Sequence, residues 1–153
     1  MRENNKVKHI LSVWGSAEKI CREKSERVTE LKKLCVETGD IQSIKLSGIP
    51  SGKGVSSHIE NSVIKTIDIY EKTIFRLEEE IKETLSIKAH IDSLIAFLGQ
   101  EEKKIITLRY RDGLSWDYIP EIIHKSRMQC FRIHNKVLSR WNSENLLKII
   151  EKY

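Results

Sequence analysis

The sequence predicts an all-α protein, a long antiparallel helical hairpin followed by a C-terminal helix-turn-helix domain. Three observations carry this reading. Apolar residues recur at steps of three and four over two long stretches, the period of a helix with one buried face. Punctuation is sparse, with 7 Gly and 2 Pro in 153 residues, and much of it falls in one segment. Near the C-terminus a short capped helix, a tight turn and a basic helix follow one another.

The first helix is expected over about 6–38, where Ile10, Trp14, Ala17, Cys21, Val28, Leu31 and Cys35 form a coiled-coil-like stripe with one slot taken by Lys24. Gly39-Asp40 should end it. Residues 39–57 (GDIQSIKLSGIPSGKGVSS) lose the helical period and read as a long connection, with Ser56 or Ser57 capping the next helix. The second long helix runs over about 58–98. Val63, Ile67, Tyr70, Ile74, Leu77, Ile81 and Leu85 share one face, continued by Ile91, Leu94, Ile95 and Leu98. Glu78-Glu79-Glu80 should lie on the other side, with Lys82 four residues after Glu78. Two matching stripes predict a hairpin over 1–98, closed on itself or paired with a second subunit.

Composition excludes several classes. Charged residues make up 32% and the net charge is +5, against 39% apolar residues. That is too charged for a membrane protein and too rich in Ile, Leu and Val for a disordered one. The opening MRENNKVKH lacks the apolar core of a secretory signal, so the cytoplasm is the expected address and no membrane is expected as a partner. Cys21, Cys35 and Cys130 are odd in number and form no C-x-x-C pair, so they read as buried free thiols. Residues 1–38 carry +3, 39–98 carry −2 and 99–153 carry +4.

The informative stretch is the domain 99–153. A helix over about 101–112, with Ile105, Ile106, Leu108 and Tyr110, should stop at Asp112-Gly113. Ser115 should cap a short helix over 116–123, where Trp116, Ile119, Ile122 and Ile123 are apolar. After the turn at His124-Lys125, Ser126 should cap a helix over 127–141. Cys130, Ile133, Val137 and Leu138 would face inward; Arg127, Met128, Gln129, Arg132, Asn135 and Lys136 lie mainly opposite. Lys125, Arg127, Arg132, Lys136 and Arg140 fall within 124–141, which contains no acid. Arginine matches guanine bidentately, Gln and Asn match adenine, and lysine reaches phosphate. The candidate DNA-contacting set is Ser115, Lys125, Ser126, Arg127, Met128, Gln129, Arg132, Asn135, Lys136 and Arg140. Arg127, Gln129 and Arg132 are expected to read bases.

The stretch LRYRDGLSWDYIPEII…S resembles region 4 of bacterial sigma-70-type factors. KSRMQCFRIHNKVL is similar to the recognition helix of ArpU/RinA-type late transcriptional regulators of phages of Gram-positive bacteria, and SGIPSGKGVSS resembles a glycine loop in those proteins. Ile49 and Ser51 replace the usual Met and Arg there. The resemblance implies a sequence-specific DNA-binding regulator of phage or prophage late genes, acting at the nucleoid of a bacterial host. The expected partners are double-stranded DNA and, through the hairpin, a second copy or host RNA polymerase. Pro120 departs from the pattern. It costs little only if its helix starts a residue or two later than 116.

Other signals are weaker. Gly48 to Gly54 imitates a phosphate-binding loop, but the spacing is one residue short and no strand precedes it. Cys130 and His134 sit i, i+4 with no second pair of metal ligands near in sequence, so no metal is expected. His134 is expected to be partly exposed beside phosphate. His9, His58 and His90 have no nucleophile or carboxylate at useful spacing. No catalysis and no cofactor are therefore expected. Trp14 and Trp116 read as core residues, and Trp141 as the partner of a last short helix over 142–153. Two other functions fit less well: a small-terminase-like packaging subunit, and a module that binds RNA polymerase without DNA.

Overall fold

The computed structural model describes residues 2–46 and 55–143. It is helical throughout, with no strand among the described residues. The elements are α1 (Arg2–Leu46), α2 (Val55–Ala96), α3 (Gln100–Ile106), a π-helical turn (Thr107–Arg111), α4 (Ile119–Ile123) and α5 (Arg127–Ser143). The glycine-rich loop and the C-terminal tail expected to be helical fall largely in 47–54 and 144–153, outside the described residues.

Gly39 does not stop α1, which continues to Leu46. Its φ is not positive. Glycine ends a helix by adopting the left-handed conformation; in the helical one it only weakens the helix by about 1 kcal/mol relative to alanine. Ser56 and Ser57 are not caps either, because α2 already includes them.

The chain divides into two compact units, Met1–Ile20 with Glu83–Tyr153, and Cys21–Lys82. This division differs from the boundary at residue 98 that the sequence suggests. In the first unit, Val7, Ile10, Leu11 and Trp14 of α1 share one buried cluster with Ile91 and Ile95 of α2, Leu98, Ile106 and Val137, Leu138 and Trp141 of α5. The start of the first long helix and the end of the second are thus part of the same core as the C-terminal helices. The Trp14 indole N–H donates to Asp92 at 2.8 Å, and Lys88 bonds the same carboxylate at 2.9 Å. Burial pushes the Asp92 carboxyl up, but these two donors outweigh it and the group stays below its ordinary range.

In the second unit the α1 and α2 segments run antiparallel. Cys21 reaches the Ile81 carbonyl, Lys24 meets Glu80 at 2.8 Å, and Lys32 meets Glu78 at 2.8 Å. Lys24, the charged slot in the apolar stripe, is therefore matched by an acid. Glu78 and Glu80 face α1 and do not point away from it; Lys82 pairs with Glu79 at 3.6 Å, where the spacing suggested Glu78. The Lys24 hydrogen bond is the main cause holding Glu80 below the usual carboxylate range. Burial here is thin. Val28 and Leu31 are buried, while Cys21 and Cys35 are half-buried and not enclosed as expected. A two-helix pair has no third layer to cover them. In the first unit Leu85, placed on the inward stripe by its spacing, is half exposed.

Candidate nucleic-acid interface

α3 starts the region. Glu102, in its first turn, accepts the Gly99 backbone N–H at 3.2 Å and takes Arg140 of α5 through both oxygens, at 3.3 and 3.0 Å. Burial pushes its carboxyl up, but Arg140 and the Gly99 N–H prevail and hold it below the usual carboxylate range. The expected single helix over 101–112 breaks into α3 and the π-turn, closed by the Asp112 N–H on the Thr107 carbonyl at 3.0 Å. Gly113 then adopts φ 69, as the expected stop requires.

The Tyr110 carbonyl, in the π-turn, lies against α1 at Gly15. A Cβ on Gly15 would overlap that carbonyl, so only glycine lets the two backbones approach this closely. Tyr110 also explains a buried polar pair. Its hydroxyl lies 3.0 Å from Nε2 of His134, whose Nδ1 lies 3.2 Å from the Asn135 side-chain oxygen. His134 is buried, contrary to the expectation of partial exposure. Desolvation lowers its pKa to about 4, and desolvation raises that of Tyr110 to about 12. The imidazole is thus neutral at physiological pH and supplies no positive charge.

Ser115 does not cap a helix directly. Its hydroxyl accepts the Asp117 N–H at 3.3 Å and its carbonyl accepts Tyr118 and Ile119, forming a turn that leads into α4. α4 starts at Ile119, so Pro120 sits in its first turn, where a missing N–H costs nothing. His124 ends α4 in the left-handed conformation, φ 56. Ser126 caps α5 as expected, by a reciprocal box. The Gln129 N–H donates to Ser126 Oγ at 3.3 Å, and the Ser126 N–H donates to Gln129 Oε1 at 3.0 Å.

α5 has the two faces its spacing implies. Cys130, His134, Val137, Leu138 and Trp141 are buried, and Trp141 belongs to the core of its unit. Cys130 packs with Ile105 and Ile119, and its thiol is raised by burial, hence unreactive. Arg127, Met128, Gln129, Arg132, Asn135 and Lys136 are exposed, Met128 at 71%. At about 1.5 Å per residue, 128–136 spans roughly 12 Å, the width of a B-DNA major groove.

The structure also places what the sequence left unsaid, the partners of the cations. Lys125 pairs with Glu101 at 3.0 Å, Arg127 with Asp117 at 3.0 Å and Arg140 with Glu102 at 3.0 Å. Arg132 and Lys136 form no ion pair among the described residues. Gln129 spends its carbonyl oxygen on the cap. Phe131 stacks on Trp116 at 4.3 Å, and Arg109 lies 5.5 Å over Trp116 while donating to the Leu114 carbonyl at 2.9 Å. Acids at 101, 102 and 117 were visible in the sequence, but no spacing rule pairs them with residues ten to 38 positions away.

No group of three or more His, Cys, Asp or Glu residues able to hold a metal occurs among the described residues. None of the described helices is long and apolar enough to cross a membrane. The model of a family described as "Protein of unknown function (DUF722)" matches residues 38–142. The chain belongs to this family. No curated protein and no solved structure matches it. The DUF722 match takes in the end of α1, all of α2, α3 and α4, and nearly all of α5, so it covers the elements that build this face.

Proposed function

We propose that this DUF722 protein is a sequence-specific double-stranded DNA-binding regulator of phage or prophage transcription. In this reading α4 and α5 form a helix-turn-helix of the sigma region 4 kind, and α5 enters the major groove. The observation that carries it is the exposed face of α5. Met128, Arg132, Asn135 and Lys136 lie on one side at the width of the groove, without an acid among them, while the opposite side is fixed in two apolar clusters. Fixing matters because base reading needs side chains held in register by a rigid element. Ile64, Ile69 and Phe75 of α2 remain exposed, and they support pairing with a second copy through the long helices.

Affinity for random-sequence duplex, titrated against salt, tests the reading. Log K should fall with log salt at about −0.9 per phosphate neutralised. Arg132 and Lys136 alone give a slope of about −2 per subunit; all five cations give about −4.5, and require the acids at 101, 102 and 117 to yield their partners. Absence of binding at low salt defeats the proposal. It would leave a module that binds RNA polymerase, for which a pull-down with core polymerase is the direct measurement. A ring of eight or more subunits in solution would instead favour DNA packaging.

A further inference from the structure

We infer that Asp117 is a positioning residue that presents Arg127 to the major-groove edge of a guanine. The inference deepens the DNA-binding reading and rests on it. An arginine on a helix surface ordinarily sweeps many rotamers. Arg127, itself exposed, has two neighbours that bias this sweep. Its Nη1 donates to Asp117 Oδ1 at 3.0 Å, and its guanidinium lies 5.7 Å over the ring of Phe131. Phe131 is itself fixed, stacked at 4.3 Å and 30° on Trp116, whose ring meets buried His134 edge-on at 4.9 Å. A stacked series thus runs from the core outward to the guanidinium.

The chemistry of this clamp suits a base better than a phosphate. Guanidinium carries five N–H donors in a planar fork, and this ion pair uses one Nη1 donor. The free donors match the N7 and O6 acceptors of guanine, the commonest specific arginine contact. A phosphate, by contrast, responds to net charge, and Asp117 cancels much of that charge locally. Adenine presents an amino donor beside N7, which the fork cannot satisfy. The other residues of the first turn are less suited. Gln129 is committed to Ser126 through its carbonyl oxygen, and Met128 carries no donor.

The experiment uses the full chain. A pool of random-sequence duplexes enriched by the wild type supplies a preferred site. Affinities of wild type, Asp117→Asn, Asp117→Glu, Arg127→Ala and the double variant Asp117→Asn/Arg127→Ala are then measured on that site. The same set is measured on each single-base-pair variant and on unselected duplex. Far-UV circular dichroism establishes that every variant is folded. Asp117→Asn should cut discrimination at one G·C pair about tenfold, while affinity for unselected duplex stays the same or rises, since a negative charge is gone. Asp117→Glu should restore part of the preference. Arg127→Ala should lose preference at the same pair, and the double variant should lose no more. A uniform change over all duplexes on Asp117→Asn, with base preference intact, overturns the inference and makes Asp117 a general electrostatic brake. Binding to duplex without any preferred sequence also overturns it while leaving DNA binding in place. No binding at all removes the parent reading itself.

Discussion

Alanine at Gly15 and alanine at Gly39 should move stability in opposite directions, although both residues lie within α1. Helix propensity alone favours each change by roughly 0.5–1 kcal/mol. At Gly39 nothing lies within 4 Å of the new methyl, so that gain stands. At Gly15 the methyl would overlap the Tyr110 carbonyl and come 3.1 Å from the Arg111 nitrogen. Both obstacles are backbone and cannot rotate aside. Relief requires lifting α1 from the π-turn, which loosens Leu11, Trp14 and Ile106 in the same cluster. Overpacking of this kind costs about 1–3 kcal/mol, so the net loss is about 1–2 kcal/mol. A domain of this size shifts by about 2–4 °C per kcal/mol. Gly15→Ala should therefore melt about 2–8 °C lower and Gly39→Ala about 1–4 °C higher. Trp14, Trp116 and Trp141 all belong to the unit containing Gly15, so tryptophan fluorescence follows that unit, and far-UV circular dichroism follows the whole chain. A Gly15→Ala protein as stable as Gly39→Ala would refute the close crossing.

Further outcomes follow from the same packing. The folded pKa of His134, about 4, lies below its ordinary 6.5, so the unfolded chain takes up a proton that the folded one refuses. Stability from this group is complete above pH 6.5 and is lost as pH falls towards 4, by on the order of 2–3 kcal/mol. Urea midpoints across that range should slope less in His134→Gln, and an unchanged slope would contradict the buried neutral imidazole. A fragment of residues 99–153 should fail to fold, because Ile106, Val137, Leu138 and Trp141 lose Val7, Leu11, Trp14, Ile91 and Ile95; a dispersed amide spectrum from it would refute this. Replacing 21–82 by a short Gly/Ser linker should keep a cooperative tryptophan transition, since Glu18 and Lys88 meet at 3.9 Å within the retained unit. Arg132→Ala and Lys136→Ala should each make the salt slope shallower by about 1; Lys24→Ala, far from α5 in sequence and in the other unit, should leave it unchanged.

Much of the local structure was legible in residues alone, because its causes are local. The step of three and four in Ile10, Trp14 and Ala17, the Ser126 cap and the Asp112-Gly113 stop are short-range physics, and each appears where the sequence put it. So did the inward set Cys130, Val137 and Leu138, since a helix has one period and the apolar side of α5 is the side that is buried. Tertiary contact decided the rest. Gly39 is compatible with both a stop and a continuation, and α1 continues through it to Leu46. His134 reads as a partly exposed side chain beside phosphate until Tyr110, 24 residues away, gives it a partner and the core keeps it neutral. The boundary at residue 98 looked natural because the periodic runs end there, yet Trp141 packs with Val7 and Leu11, which no window on the chain can see. The same holds for the cations between Lys125 and Arg140. Sequence counts five of them, whereas the fold sets Glu101, Asp117 and Glu102 against Lys125, Arg127 and Arg140. Charge is a property of a residue, but the field at a surface belongs to the arrangement.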